Sequence, residues 1–222
     1  MTIAIAALAA AILGAAGPFV MRRIPEPAEP DADKITYANL SRARGLTAGL
    51  ALGAAVMAGV VAWRIDDVEL LPVWVLVAGV GSWLAYIDWR TRLLPYAVVA
   101  PTYLVTWLLI GLGTILLRDV DVLVDALVAN IVVYVLFRIL HGVTRGGFGF
   151  GDVRLSGVLA AALGALGVSE VMVGIYAGFI LGGVLGLVLV LLKVVPRSYA
   201  FGPYMVVGAV IGAAWGPAIY SV

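Results

Sequence analysis

Two aspartates stand out in a chain that leaves little room for charge. Asp88 lies in "YIDWRTRLLP" and Asp152 in "GGFGFGDVRL", each where an apolar run meets basic residues. Two carboxylates brought together cannot both ionise cheaply, so they tend to share a proton. The ionised member can take a proton from water attacking a peptide carbonyl. The protonated member then supports the developing oxyanion and helps the amine leave. Burial near lipid strengthens the coupling, so the pair titrates as one unit. Proton-coupled transporters also place acids on membrane helices, and spacing alone does not separate the two chemistries. A structural subunit of a membrane assembly, the third reading, needs no paired aspartates.

Each aspartate taken alone has a plainer explanation. Asp88, followed by Arg90 and Arg92, fits a solvated residue at the end of a span. Asp152 fits a cap for the helix that follows it. The glycines argue for something beyond a turn. Gly146, Gly147, Gly149 and Gly151 allow positive φ and let another chain approach closely. Gly149 and Gly151 are the candidates to lie beside an extended substrate segment.

The elements that position these residues are membrane helices. Of 222 residues, 64% are hydrophobic and 12% charged, and the mean hydropathy is +1.12. A soluble domain of this length needs a polar surface that such a chain cannot supply. Apolar runs near 2–20, 46–63, 72–87, 96–117, 120–140, 153–168, 171–195 and 200–220 predict about eight spans. The third and sixth are short. The expected fold is an all-α polytopic membrane bundle, a single domain over 1–222 with one sizeable polar loop at 21–45. That loop contains "PEPAEPDADK", whose proline and acid predict an extended, partly disordered stretch. "GGVLG" at 182–186 has the small-residue spacing of a packing face.

Alternating sides along eight spans sorts the charges. One set of loops holds 12 of the 14 basic residues: Arg22, Arg23, Lys34, Arg42, Arg44, Arg90, Arg92, Arg138, Arg145, Arg154, Lys193 and Arg197. The other set holds Arg64 and Arg118. The first set is therefore expected in the cytoplasm, with both termini outside. Asp88 and Asp152, 64 residues apart, fall on that same side. The two spans between them form a hairpin that can bring them together.

The remaining polar residues read as structural. Asn130, mid-span, predicts an interhelical hydrogen bond, and Asp125 an anchor at the outer interface. Lys193 and Arg197 are expected to snorkel to headgroups, and His141 to sit at the cytoplasmic interface. Arg145 and Arg154 flank Asp152 and suit either tuning of its charge or contact with anionic lipid. There is no cysteine, and one histidine cannot make a metal site alone. No metal, cofactor or nucleic-acid partner is expected.

The motifs themselves carry a family resemblance. "GFGFGDVRL" resembles the Gly-x-Gly-Asp signature of type IV prepilin peptidases, matched by Gly149, Gly151, Asp152, Arg154 and Leu155. "DWRTRLLP", Asp88 to Pro95, looks like that family's first aspartate segment. "FGPYM", Phe201 to Met205, resembles its Phe-Gly-Pro element, and "FVMRRIPEP", from Phe19, its Arg-apolar-Pro element. The resemblance implies an aspartyl endopeptidase of the bacterial cytoplasmic membrane, with Asp88 and Asp152 as the catalytic pair facing the cytoplasm. It implies cleavage of the leader from prepilins or pilin-like secretion subunits. An acid-coupled transporter using the same carboxylates is the alternative. Many members carry a longer first loop with paired Cys-x-x-Cys motifs, associated with zinc and with N-methylation. This loop has no cysteine, which speaks against both. Tyr96 stands where members often have Asn or Asp after Leu-Pro, and Ala200 where a Pro commonly precedes Phe-Gly-Pro.

Overall fold

The computed structural model describes residues 1–26, 35–144, 149–185, 188, 191–192 and 200–220. Lys34, Arg145, Gly146, Gly147, Lys193, Arg197 and most of the proline-rich acidic stretch lie outside the described residues. The chain is a polytopic helical membrane bundle, with helices at the positions of the expected spans. In order these are α1 (Thr2–Ala15) continued by α2 (Gly17–Met21), a short α3 (Tyr37–Leu40), α4 (Leu46–Arg64) and α5 (Leu71–Thr91). After them come α6 (Tyr96–Leu117), α7 (Asp121–Val143), α8 (Phe150–Gly164), α9 (Val168–Ile180) and α10 (Gly202–Ile219). A π turn, Leu181–Leu185, extends α9.

Among the described residues, six helical segments are long and apolar enough to cross a bilayer. The expected sixth and seventh spans are shorter. α8 has 15 residues and α9 has 13 before the π turn. At ~1.5 Å per residue α8 covers roughly 22 Å, less than the ~30 Å of a hydrocarbon core. It is tolerated because the protein wraps it: 12 of its 15 residues are buried. A helix apolar on every side belongs inside a bundle, and its small residues let neighbours close in. A Cβ on Gly164 would stand 2.5 Å from the Cβ of Ala129 on α7. The expected third span, by contrast, is longer than its apolar run. α5 continues one turn past Asp88, through Trp89 and Arg90 to Thr91, and is the most enclosed of the six long segments.

Around these two inner helices, α1 packs along α4, α7 along α8, and α9 along α10, which also touches α5. The α9–α10 contact is nearly backbone to backbone. A Cβ on Gly208 would meet the amide nitrogen of Gly178 at 2.5 Å. In the 182–186 stretch, Gly182 lies under the Phe201 ring and Gly183 faces open space; Gly186 lies outside the described residues. Asn130 makes the expected interhelical bonds. Its Nδ2 donates to the Gly157 carbonyl of α8 (2.7 Å), and its Oδ1 accepts from the Tyr103 hydroxyl of α6 (2.8 Å). One side chain thus ties three helices at mid-depth, where lipid offers no competing partner. Asp125 is exposed on α7.

The described ends of the first loop are folded. Arg22 Nε donates to Ser41 Oγ (3.2 Å), and the Tyr37 amide donates to Glu26 Oε1 (2.7 Å). The Tyr86 hydroxyl, on α5, donates to the Leu40 carbonyl (3.4 Å). The loop is therefore seated beneath the end of α5 that carries Asp88.

Candidate active site

Asp88 is buried, 4% exposed, in the last turn of α5. The helix reaches past it because Thr91 turns inward: its Oγ1 donates to the Ile87 carbonyl (2.8 Å) and accepts from the Leu93 amide (3.3 Å). Arg92 then ends the helix in the left-handed region, φ 56°. Its amide donates to the Asp88 carbonyl. Helix termination is thus completed beyond the carboxylate, which stays inside the bundle. The solvated-interface reading of Asp88 fails on this geometry.

Its partner comes from the far end of the chain. The Gly202 amide, at the first turn of α10, donates to Asp88 Oδ2 (2.8 Å). The first-turn amides of a helix have no partner within it, and their dipoles favour a carboxylate. Glycine is required for the approach, since a Cβ there would stand 2.8 Å from Oδ2. Pro203 follows, a residue whose fixed φ suits the opening of a helix and whose missing N–H costs nothing there.

Asp152 occupies the first turn of α8 and is 9% exposed. Its Oδ2 accepts the Gly149 amide (3.0 Å), the backward reach of a capping residue. Capping and burial are both true of it. The helix of Asp88 comes near it: α5 touches α8, and Leu94, six residues past Asp88, packs on Gly151 beside Asp152. Each carboxylate is therefore held at a helix N-terminus, one at that of α8 and one at that of α10. Two positive dipole ends converge on two acids. This arrangement can stabilise one negative charge readily and a second only at cost, the condition for a shared proton.

The glycines of the second motif are engaged by the protein itself. The Gly149 amide is taken by Asp152, and the residue is exposed at the start of α8. Gly151 faces Leu94, whose Cβ would lie 2.7 Å from a Cβ at 151. The close approach is thus made by the segment between α5 and α6. Phe137, Phe179 and Phe201 cluster with ring centroids 5.4–6.3 Å apart, and Phe201 directly precedes Gly202 in the chain.

Arg154 is not paired with Asp152 among the described residues. Its guanidinium lies 4.6 Å from the centroids of both Tyr96 and Phe150. His141 meets the Phe150 ring edge-on at 5.6 Å, in keeping with an interfacial place. No group of three or more His, Cys, Asp or Glu side chains gathers as a metal site among the described residues. The residues that sequence reasoning did not place at the site are Thr91, Leu94 and Gly202. Gly202 was marked by the "FGPYM" motif, and Thr91 and Leu94 only by lying in "DWRTRLLP".

A family model described as the type IV leader peptidase family matches residues 70–191. The match runs from the start of α5 past α9 and contains both aspartates, both glycines and Leu94; Gly202 lies beyond it. Neither the curated proteins nor the solved structures contain a significant match.

Proposed function

The chain belongs to the type IV leader peptidase family, and from that membership we propose that it is an aspartyl endopeptidase whose catalytic pair is Asp88 and Asp152. The observation that carries the reading is the convergence of two buried carboxylates from α5 and α8, each held by one amide at a helix N-terminus. With one proton between them, the ionised carboxylate takes a proton from a water molecule as its oxygen bonds to the scissile carbonyl carbon. The protonated carboxylate gives its proton to the carbonyl oxygen. The resulting tetrahedral diol collapses: one of its hydroxyls returns a proton to the carboxylate that gave one, the C–N bond breaks, and the amine leaves with the proton of the carboxylic acid formed in the first step. The pair ends with one proton again. Glycine at 149, exposed at the start of α8, is the edge along which an extended substrate segment would lie, and glycine at 151 holds the wall behind it.

The proposed substrate is the leader of a prepilin or pilin-like secretion subunit. The pair is proposed to face the cytoplasm of a bacterial inner membrane. In support, Arg22, Arg23, Arg42, Arg44, Arg90, Arg92, Arg138 and Arg154 flank the spans at the end where the aspartates sit, and Arg64 and Arg118 the other. A free amine is the proposed product. The chain has no cysteine with which to build the loop associated with methyl transfer.

The test is direct. Purified protein in lipid nanodiscs, incubated with a prepilin-like peptide spanning the leader junction, should yield two fragments by mass spectrometry. With S-adenosylmethionine added, the mature fragment should gain no methyl mass. An intact peptide after prolonged incubation with folded protein would remove the proposal.

A further inference from the structure

We propose that Arg154 is a positioning residue: stacked on Tyr96 and Phe150, it clamps the α5–α6 connection to the start of α8 and so sets the spacing of the two aspartates. This rests on the aspartyl reading above. The problem the clamp solves is visible in the anchors. Asp88 is held by α10 through Gly202, whereas Asp152 is held within α8 through Gly149. Neither hydrogen bond links one aspartate's helix to the other's. α5 and α8 touch directly and α10 touches both; the connection from Arg92 to Tyr96 adds a further tie, leaving α5 beside Asp88 and crossing α8 beside Asp152. Leu94 on Gly151 supplies its inner contact. Arg154 supplies the outer one, with its guanidinium 4.6 Å from the ring that opens α6 and 4.6 Å from the ring that opens α8.

The residue type suits the task. A guanidinium is planar and weakly hydrated, and stacks on aromatic faces where a carboxylate partner would compete with the site. Phe150 and Arg154 are four apart on α8 and so share a face. Tyr96 closes the arrangement from the other helix. Tyr96 is 63% exposed and Phe150 37%, so the clamp lies at the rim and Arg154 need not enter the buried site. Loosening it should change the geometry of the acids, not the affinity for substrate. Small displacements of reacting groups cost rate steeply.

The experiment is a double-mutant cycle in nanodiscs with the prepilin-like peptide. Arg154→Gln and Tyr96→Leu should each lower kcat about tenfold with KM changed by less than about twofold. The double variant should be no worse than about twofold below either single. Tyr96→Phe, which keeps the ring, should recover most of the loss, whereas Arg154→Lys, which keeps the charge without the planar guanidinium, should recover only part. Hydrogen exchange at the amides of residues 93, 94 and 96 should rise in Arg154→Gln, a readout that needs no activity. A raised KM at unchanged kcat in Arg154→Gln would mean contact with substrate and overturn the proposal. So would losses that multiply in the double variant, or a loss tracking the anionic lipid content of the nanodisc. Asp88→Asn and Asp152→Asn run alongside. Activity retained in those defeats the aspartyl reading, while their inactivity beside a normal Arg154→Gln defeats the clamp alone.

Discussion

The Gly202 amide and the Asp88 carboxylate are 114 residues apart in the chain and 2.8 Å apart in the fold. This bond fixes one half of the proposed pair from the last helix, outside the region the family model matches. Gly202→Ala would force its Cβ to within 2.8 Å of Oδ2. Cleavage should fall by about one to two orders of magnitude, the scale on which misplaced reacting groups lose rate. Gly183→Ala, which points into open space, is the control. Equal activity of the two variants, at equal abundance, would show that the bond is dispensable.

Asp88→Asn and Asp152→Asn remove a carboxylate with almost no change of shape. Each should lower turnover by several orders of magnitude, and the double variant should be little worse than either single, as expected of residues that act as a unit. The exposed Asp125→Asn should leave cleavage intact. Steady-state peptide cleavage by the four purified proteins decides the matter. Losses that multiply would mean that the acids work separately.

Gly151→Ala tests whether the wall behind the site matters. The added methyl meets Leu94 at its Cβ, 2.7 Å away, so α8 or the connection must shift. We expect a clear loss of cleavage, and larger with Gly151→Val. Leu94→Ala should not rescue either variant, because the obstructing atom is the one that alanine keeps. Rescue would place the conflict farther along the leucine side chain.

How much of this was legible in the sequence depends on the range of the interactions. Helix positions and the placing of both aspartates at one end follow from local apolar runs and charge, and an interhelical hydrogen bond from Asn130 follows from its place mid-span, though its two partners do not. The end of α5 did not, because a boundary read from charge stops at Asp88. Thr91 and a left-handed Arg92 instead carry the helix one turn farther. The work of Gly151 was half read: close approach was foreseen, but the approaching chain is Leu94. Arg154 beside Asp152 suggested electrostatics, and only the fold reveals that Tyr96 and Phe150 occupy it. Glu170, buried at 7% exposed on α9, escaped notice because nothing in its neighbourhood advertises enclosure. Its backbone lies against Gly216 of the last helix.

Orientation has its own test, and burial dictates where to place it. Ser41 and Thr91 are 5% and 2% exposed, so labels there would report packing. Ala43→Cys and Trp89→Cys are accessible positions at the aspartate end, and Val68→Cys lies at the other. In intact cells an impermeant thiol reagent should modify Val68→Cys alone; all three should react once the membrane is opened. Labelling of Trp89→Cys from outside would put the aspartates on the wrong side.

The shortness of α8 has a consequence for how water meets the acids. α8 covers roughly 22 Å, beside neighbours of 21 to 23 residues, and 12 of its 15 residues are buried by protein. The bilayer therefore need not thin around it, because the mismatch is taken up inside the bundle. A shortfall enclosed by protein can hold water at a depth where one facing acyl chains could not. Turnover should therefore depend little on the chain length of the surrounding lipid.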